Sequence, residues 1–307
     1  MPVRDLDVVV LGAVGIDTSV YLMADDIDFQ VEANFSENID TIGQAGGYAA
    51  RSFNRLGKRT GLIAAWGDDY PGAYIREQLH SEGIDISGCF IDPAGTKRSI
   101  NFMYKDGRRK NFYDGKGAMA IKPDLAKCRQ ILSRTKLVHV NIVNWTRYLL
   151  PLMKELELTI AVDLQDMIRV DDPYRQDYLD HADIIFFSAV NFPDDLHKVI
   201  TKILERKNIQ FIIAGNGSRG VTLGCWSGVY DFPAVDLPFA VIDTNGAGDS
   251  LAAGFLSSFV LDGYNRNDSL FRGQICARYC CSQKGNSNEL ITRKQLDEFY
   301  KSKKKIT

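Results

Sequence analysis

Short apolar runs alternate along the chain with segments of helical period. The apolar runs are DVVVLGAV (7–14), GLIAAW (61–66), LVHVNIV (137–143), TIAVDL (159–164), DIIFFS (183–188) and QFIIAG (210–215). Runs this continuous are typical of strands buried on both faces. The segments that predict helices are 47–56, 72–83, 124–134, 147–156 and 196–207. This alternation predicts right-handed βαβ units in an α/β fold, with a mostly parallel central sheet between two layers of helices.

Two segments, residues 17–43 and 96–114, do not follow this alternation of strands and helices. Both are polar, alternate in hydrophobicity and carry few helix signals, and the second contains the turn sequence Lys105-Asp106-Gly107-Arg108. We expect the two segments to pair into a small β lid. Because no internal repeat and no Pro/Ser-rich linker divides the chain, residues 1–307 are expected to form a single domain that includes these lid segments.

Composition and charge narrow the class of protein. The chain has 307 residues, of which 45% are hydrophobic and 25% are charged, and its formal net charge is -2. These values favour a large buried core and argue against both disorder and a nucleic-acid partner. The charge run KSKKK at 301–305 is interpreted as a solvated tail.

Cysteine usage and the first residues predict the compartment. The six cysteines form no CxxC pair and have no histidine at zinc-ligand spacing, so they are interpreted as reduced, mostly buried thiols. The first residues carry charges where a signal peptide needs its apolar segment, and the apolar stretch at 250–261 is too short to span a bilayer. A cytoplasmic, soluble protein without a membrane partner is expected.

Residues 243–256 read DTNGAGDSLAAGFL and combine glycines, aspartates and a helical apolar pattern. The pattern places Asp249 in the first turn of a helix, where the backbone N–H groups of Gly246, Ala247 and Gly248 would form an anion site. Alternatively, the aspartate only favours a helix start and the glycines only make a turn. That alternative explains any single residue, but not a carboxylate beside a phosphate cradle. Removing a proton from a hydroxyl that attacks a phosphoryl group would explain it.

The heptapeptide DTNGAGD resembles the signature of the ribokinase-like (PfkB-type) carbohydrate kinases. GQAGGYAARSFNRLG (43–57), WGDDYPG (66–72) and LHSEGID (79–85) also resemble motifs of this family, so that the similarity covers nearly the whole chain. The resemblance implies a ribokinase-like three-layer α/β/α fold with a β lid. It also implies ATP and Mg²⁺ as cofactors, and leaves room for a monovalent cation and for a homodimer formed through the lid.

The resemblance assigns a role to each matching position. Asp249 would be the catalytic base, and Gly246, Ala247 and Gly248 the anion hole. Asp17, Gly46 and Gly47 would hold substrate hydroxyls. The nucleotide would contact Asn191, Asp194, Gly217, Gly220 and Thr244.

Two positions depart from the family pattern. Arg51 stands where many sugar kinases have asparagine, and its guanidinium either pairs with an anionic group on the substrate or points to solvent. The N-x-x-E motif appears as NFPD, with Asn191 intact and Asp194 in place of glutamate. The shorter arm of Asp194 would reach magnesium only indirectly, through water.

Other motifs are given structural interpretations. Gly215, Gly217 and Gly220 match G-x-G-x-x-G, but VTLGCW follows them and alternates as a strand, whereas a dinucleotide-binding fold requires a helix there. His139 is interpreted as a core histidine and the pair Asp68 and Asp69 as a turn. The tryptophans Trp66, Trp145 and Trp226 are interpreted as packing residues. Met103 and Tyr104 lie in the lid and either contact substrate or belong to an edge strand.

The sequence therefore predicts an ATP-dependent phosphotransferase that acts on a hydroxyl of a sugar or a sugar-like small molecule. A nucleoside kinase of the same fold is the nearest alternative. A ligand sensor that has kept the fold and lost turnover is a second alternative, and a nicotinamide oxidoreductase is a third.

Overall fold

A computed structural model of the protein describes residues 4–106 and 108–304. Its strands are β1 Val8–Leu11, β2 Gly15–Leu22, β3 Ser36–Gly43, β4 Thr60–Ile63, β5 Ala65–Trp66, β6 Phe90–Ile91, β7 Lys97–Met103, β8 Arg109–Asp114, β9 Leu137–Asn141, β10 Thr159–Asp163, β11 Ile184–Ser188, β12 Phe211–Gly215, β13 Val221–Cys225 and β14 Gly228–Phe232. Its α-helices are α1 Gln44–Arg55, α2 Tyr70–Ser81, α3 Leu125–Leu132, α4 Leu150–Glu155, α5 Pro173–His181, α6 Leu196–Leu204, α7 Ala247–Leu256, α8 Arg266–Cys280 and α9 Arg293–Lys304.

The main sheet has eight strands in the order β14-β13-β12-β11-β10-β9-β1-β4. The strands from β12 to β4 are parallel, whereas β13 and β14 are antiparallel additions at one edge. The mostly parallel sheet is the one that the apolar runs predicted. Its parallel strands end at the same edge, which is where an open sheet of this class binds its ligands.

Helices cover both faces of the main sheet. Val8 and Val10 of β1 pack in one hydrophobic cluster together with Phe53 of α1 and Phe255 of α7. Val9 and Leu11 of the same strand pack in a second cluster that contains residues of α3, α4, α5 and α6. Because successive side chains of a strand point to opposite faces, this division shows the three-layer α/β/α architecture.

Several boundaries differ from the expected ones. The apolar run 61–66 is broken at Ala64, and β5 leaves the main sheet to pair with β6. The expected helix 147–156 begins as a 3₁₀ turn, Asn144–Leu149, and only its second part is α-helical. Helices α5, α8 and α9 were not predicted. In α8 the buried Arg272 interrupts the apolar pattern, and its guanidinium lies 2.8 Å from the Asp297 carboxylate.

The lysine run at 301–305 was interpreted as a solvated tail: Lys301 and Lys304 are exposed, as expected, but the described part of the run is helical and not a tail. Lys301, Lys303 and Lys304 form the last turn of α9, whereas Lys305 lies outside the described residues. The Lys304 Nζ atom lies 2.8 Å from the Asp268 carboxylate of α8. Positive charge at this end of a helix interacts favourably with the helix dipole, so the run stabilises a helix terminus.

The segments 17–43 and 96–114 contribute to a separate four-stranded sheet in the order β3-β2-β7-β8, which we call the lid. β2 and β7 are parallel, and the other two pairs are antiparallel. The hairpin between β7 and β8 is closed by a hydrogen bond of 3.0 Å from Tyr104 N to Arg108 O, while Gly107 of the expected turn lies outside the described residues. This is the pairing that the polar alternation predicted.

The cysteines are free thiols, five of them buried and Cys281 half-buried. Burial raises the pKa of Cys128 and of Cys276 to about 12, which keeps both thiols uncharged at neutral pH. Among the described residues, no helix combines the length and the apolar character that crossing a membrane requires.

Candidate active site

The loop 243–246 leads into α7, and its last residue, Gly246, has a left-handed backbone with φ +69°. A Cβ atom at Gly246 would lie 2.6 Å from Cδ1 of Tyr48, which belongs to α1. Glycine is therefore required at this position both by the backbone angle and by the close approach of the tyrosine ring. Tyr48 was not singled out from the sequence, because its contact with Gly246 spans nearly two thirds of the chain.

The three positions of the expected anion hole are the N-cap of α7, Gly246, and the first two residues of the helix, Ala247 and Gly248. Ala247 N donates to Thr244 O at 3.4 Å, which is a long hydrogen bond within the turn. A Cβ atom at Gly248 would meet no atom within 4 Å, so that the helix surface is open there. An open helix start with glycine at its surface fits a phosphate group, since backbone N–H groups and the helix dipole both favour an anion.

Asp249 lies in the first turn of α7, and its Oδ1 atom accepts a hydrogen bond of 3.4 Å from Asn141 Nδ2. Burial raises the pKa of the Asp249 carboxyl well above its usual range, and the negative charges of Asp163 and Asp17 raise it further. The structure thus brings together Asp249 and Asp17, which the sequence predicted to share a site. A carboxylate with a raised pKa is a stronger base than an ordinary aspartate.

Asp163 is a buried carboxylate of this site that was missed in the sequence. It is the last residue of β10 and the cross-strand neighbour of Asn141, the last residue of β9. Burial raises the pKa of Asp163 to about 6, although the backbone N–H of Gln165 donates to its carboxylate at 2.7 Å. The sequence feature that could have identified Asp163 is its position directly after the apolar run TIAV, at the carboxyl end of a strand.

Asp17 projects from β2 into the space between the lid and α1. Its carboxylate accepts hydrogen bonds from Gln44 N at 3.2 Å and from Gln44 Nε2 at 2.5 Å. Gln44 Nε2 also donates to Ser99 Oγ of β7 at 2.7 Å. A Cβ atom at Gly43 would lie 2.2 Å from Asp17 Oδ2, so this glycine makes room for the carboxylate. Burial raises the pKa of Asp17.

The glycine pair that was expected to hold substrate hydroxyls is used in part for packing. Gly46 N donates to Ala13 O at 2.9 Å, and a Cβ atom at Gly46 would lie 2.7 Å from the same oxygen. The N–H group of Gly46 is therefore engaged with Ala13, and the contact of Gly46 with substrate stays a prediction. Gly47 is buried in α1 and its contact with substrate stays a prediction.

Arg51 has partners that neither of its two expected roles included. Its guanidinium forms an ion pair of 2.6 Å with Glu82 and donates to Ser287 Oγ at 2.9 Å. Only 12% of the Arg51 side chain is exposed, so it does not point to solvent. A bond to an anionic substrate would have to break this ion pair, and Arg51 is therefore interpreted as a structural residue that joins α1 to the end of α2.

The inner face of the lid contacts the glycine loop directly. Tyr21 Oη donates to Asp243 Oδ2 at 2.7 Å and accepts from Gly285 N at 2.9 Å. Arg109 of β8 donates to the Asn245 side chain. Asp243 also accepts a hydrogen bond of 2.8 Å from Asn245 N, which shapes the turn before Gly246. These contacts hold the lid against the loop that precedes Asp249.

The expected nucleotide residues lie on loops that follow neighbouring strands. Asn191 Nδ2 donates to Asp166 O at 3.2 Å and so ties the loop after β11 to the loop after β10. Arg219 Nη1 donates to Pro193 O at 3.3 Å and ties the loop after β12 to the segment that contains Asp194. Asp194 is exposed.

The glycines after β12 form a turn and not a helix start. Gly217 and Gly220 have φ +56° and +96°, and β13 begins directly after them, antiparallel to β12. This geometry removes the nicotinamide alternative, which required a helix at this point. A Cβ atom at Gly217 would meet no atom within 4 Å, and Thr244 is exposed, so both positions are accessible to a ligand.

The remaining interpretations were mostly structural and mostly hold. His139, Trp66 and Trp145 are buried, and Asp69 caps α2 by accepting from Gly72 N at 2.9 Å. Trp226 is 94% exposed in the β13–β14 hairpin, so its interpretation as a packing residue was wrong. Met103 is buried beside Asn245 on the inner face of the lid, whereas Tyr104 borders a groove on the outer face.

The chemistry of this site fits a magnesium nucleotide. Among residues 4–106 and 108–304, no three His, Cys, Asp or Glu side chains form a metal-binding group. Mg²⁺ does not need such a group, because it is commonly held by one or two carboxylates together with the phosphates of a nucleotide. The exposed Asp194 carboxylate and the open start of α7 are groups of the two kinds that such a nucleotide would need.

The fold and the site together are those expected of a small-molecule kinase of the α/β class. The family model "pfkB family carbohydrate kinase" matches residues 6–293, and the chain belongs to this family of carbohydrate kinases. The match spans nearly all of the sequence, as the motifs had predicted.

Individual relatives agree with this assignment. The chain is 29% identical to acarbose 7(IV)-phosphotransferase of Actinoplanes sp. over 90% of this chain and 92% of that protein. It is 29% identical to fructoselysine 6-kinase of Escherichia coli over 73% of this chain and 83% of that protein.

Solved structures show the same architecture. A microbiome-derived acarbose kinase superposes with a TM-score of 0.88 at 27% identity, covering 96% of this chain and 99% of that chain. Arabidopsis thaliana ribokinase in complex with ribose and ATP superposes with a TM-score of 0.81 at 19% identity, over 96% of this chain and 99% of that chain. The second likeness shows the ribokinase fold alone.

Proposed function

We propose that the protein transfers the terminal phosphoryl group of ATP to a hydroxyl of a sugar or sugar-like molecule, with Asp249 as the general base. The observation that carries this proposal is the position of Asp249 in the first turn of α7, three residues after the left-handed Gly246 and within the electrostatic influence of Asp163 and Asp17. Burial, and after it the charges of the two carboxylates, raises the pKa of Asp249 and so strengthens it as a base.

Each role in the proposed reaction is assigned to particular residues of the chain. Asp17, oriented by Gln44, would accept hydrogen bonds from substrate hydroxyls, and Asp249 would take the proton of the attacking hydroxyl. The backbone N–H groups at Gly246–Gly248 would face the charge that develops on the transferred group. Bound ATP with Mg²⁺ supplies the phosphoryl group and neutralises its charge. Asn191, Asp194, Gly217, Gly220 and Thr244 are the residues that would hold this nucleotide.

The lid would exclude water from the reaction. Tyr21 and Arg109 already contact the loop before Asp249, so the inner face of the lid closes one side of the site. Water in a phosphoryl-transfer site competes with the hydroxyl acceptor. Polar side chains of the lid, such as Ser99, Asn101 and Asn111, would contribute hydrogen bonds to a saccharide.

The relatives suggest which acceptors to test. Acarbose and fructoselysine come from the names of similar proteins, and ribose and cytidine represent simple sugars and the nucleoside alternative. Because Arg51 is paired with Glu82, we expect no preference for acidic sugars. ADP release measured with this panel identifies the acceptor class. Nucleotide binding without turnover on any acceptor would instead support the sensor alternative.

The Asp249→Asn variant tests the role of the base. We expect the rate of phosphoryl transfer to fall by about two to four orders of magnitude, while ATP binding measured by calorimetry persists, because only the proton acceptor is lost. The exposed Asp171→Asn variant is a matched control and should keep full activity. Near-normal turnover of Asp249→Asn would contradict the assignment.

We also propose that a second copy of the chain covers the outer face of the lid. This face bears a groove of about 760 Å³ whose apolar lining residues are Val20, Leu22, Ile27, Phe29, Phe102 and Phe112. Phe29 and Phe112 are 90% and 57% exposed. The groove's other lining residues are polar or basic, namely Asn34, Ser36, Tyr104, Arg108, Arg109 and Lys110. An apolar patch with a polar rim commonly marks an interface, and a two-fold axis would bury the same patch on both copies.

A further inference from the structure

We propose that Asn141 is a positioning residue for Asp249, and that the buried His139 fixes the orientation of the Asn141 amide. The inference rests on the proposed role of Asp249 as the base. It adds two residues of β9 that act on the reaction through the Asp249 carboxylate.

The alternation of β9 places both side chains on one face of the main sheet. His139 and Asn141 are two residues apart, 0% and 1% exposed, and Asn141 is the last residue of the strand. Asn141 Nδ2 lies 3.4 Å from Asp249 Oδ1 and 3.4 Å from His139 Nε2. One amide nitrogen thus connects the carboxylate to the imidazole.

The chemistry of the three groups determines which way the amide faces. An ionised carboxylate can only accept hydrogen bonds, so Asn141 must present its NH₂ group to Asp249. The same NH₂ group then faces His139, whose Nε2 atom must accept. Burial lowers the pKa of His139 to about 3, so the imidazole is neutral at working pH and one ring nitrogen is free to accept.

Packing holds this arrangement in place. The His139 ring makes edge-to-face contacts with Phe53 of α1 and Phe186 of β11, at centroid distances of 5.9 and 6.1 Å. A Cβ atom at Gly12 would lie 3.1 Å from Asn141 Oδ1, so Gly12 leaves the space that the amide occupies. The Oδ1 atom of Asn141 is buried and has no partner among the described residues.

Asn141 acts on the ionisation of Asp249 in the opposite direction to the neighbouring charged groups. The charged neighbours are the carboxylates Asp163, on the adjacent strand β10, and Asp17, on the lid strand β2, and both disfavour the ionised base. Asn141 stabilises the ionised form by donating to it. Because the amide occupies Oδ1, the Oδ2 atom is left to accept the proton of the substrate hydroxyl.

The test measures the titration of Asp249 in the protein without substrate. The ¹³C resonance of the Asp249 carboxyl, assigned by its absence in Asp249→Asn, is followed against pH in protein with labelled aspartate. In Asn141→Ala we expect the midpoint to rise by about one pH unit or more, because a donor to the ionised form is lost. Asp163→Asn removes a like charge and should move the midpoint in the opposite direction.

Further variants separate the two residues from general damage. His139→Phe keeps an aromatic ring between Phe53 and Phe186 but removes the acceptor, and should raise the midpoint in the same direction as Asn141→Ala. Asn144→Ala removes another buried amide, which donates to Met119 O at 2.9 Å, and should leave the midpoint unchanged.

Kinetics add a second readout. We expect Asn141→Ala to lower kcat by about one to two orders of magnitude, as for a misplaced catalytic group, and to move the acid limb of the kcat–pH profile upward, with KM for ATP unchanged. An inactive wild type on every acceptor would overturn the proposed function, while the titration would still decide the present inference.

An unchanged or lowered midpoint in Asn141→Ala overturns the proposal. If Asn141→Ala does not fold, an unchanged or lowered midpoint of the Asp249 titration in His139→Phe overturns the proposal. A raised midpoint in Asn141→Ala together with an unchanged one in His139→Phe overturns the part that concerns His139.

Discussion

Gly246 and Gly248 are separated by one residue and have different structural requirements. Gly246 has φ +69° and would place a Cβ atom 2.6 Å from Tyr48, whereas a Cβ atom at Gly248 would meet nothing within 4 Å. We expect Gly246→Ala to lower the free energy of unfolding by at least about 1–2 kcal/mol, from the left-handed backbone alone. Gly248→Ala is the matched control and should unfold at the wild-type urea concentration or above. Equal losses in both variants would contradict the packing against Tyr48.

Asp163 makes the stability of the protein depend on pH. The folded state raises the pKa of this carboxyl to about 6 from the ordinary value of 3.8, so folding favours the protonated form. Its contribution to stability is present below pH 4 and is lost as the pH rises through about 6. Asp163→Asn should therefore match the wild type near pH 4 and exceed it at pH 8, by an amount on the order of 2 kcal/mol.

Thermal unfolding at both pH values checks this expectation. The exposed Asp171→Asn variant serves as the control and should follow the wild-type curve at each pH. An Asp163→Asn variant that is no more stable than wild type at pH 8 would show that the ionised carboxylate carries no cost in the folded state.

Only some residues of the site could be predicted from the sequence. A local motif and a family resemblance predicted Asp249 and Asp17 as residues of the site. Asn141 and Asp163 lie near Asp249 because distant strands end at one edge of the sheet, and Gln44 reaches Asp17 from the start of α1. No local sequence pattern predicts either arrangement. Arg51 was expected either to pair with an anionic group on the substrate or to point to solvent, and its partner Glu82, at the end of another helix, could not be predicted from the local motif.

At the level of elements, burial explains which parts were predicted. All six apolar runs contain strands of the main sheet, because a strand covered on both faces needs a continuous apolar sequence. Helix α8 escaped prediction because a buried charge, Arg272, stands among its core positions. The lid strands were recognised by alternation, since one face is polar and lies toward the site.

The contact between the lid and the glycine loop gives an element-scale prediction. Tyr21→Phe removes a hydroxyl that donates to Asp243 and accepts from Gly285 N. Since a hydrogen bond to a charged group is worth about 1.5–3 kcal/mol, the closed lid should be disfavoured about tenfold or more. We expect more ATP hydrolysed per sugar phosphorylated, measured as the ratio of free phosphate to sugar phosphate.

Tyr104→Phe is the matched control for this experiment, because Tyr104 lies on the outer face of the same lid. Its ratio of free phosphate to sugar phosphate should equal that of the wild type. If both variants leave the ratio unchanged, the contact of Tyr21 with Asp243 does not restrain the lid.

For the whole molecule, the outer face of the lid predicts a homodimer. Phe112→Lys would place a charge in the apolar groove, and light scattering coupled to size exclusion should then give the mass of one chain where the wild type gives two. Ile168→Lys is the matched control, since Ile168 is 70% exposed and does not line the groove. A monomeric wild type at micromolar concentration would contradict the proposal.

The position of β1 in the main sheet constrains the order in which the chain can fold. β1 pairs on one side with β4 and on the other with β9, where Val8 lies opposite Leu137. Ribosomes add about 5–20 residues per second, so on the order of ten seconds pass between the synthesis of these two strands. During that interval the apolar VVVL segment lacks one of its two neighbours. Slowing translation between residues 64 and 137 should therefore lengthen the exposure of this segment and increase chaperone capture of nascent chains.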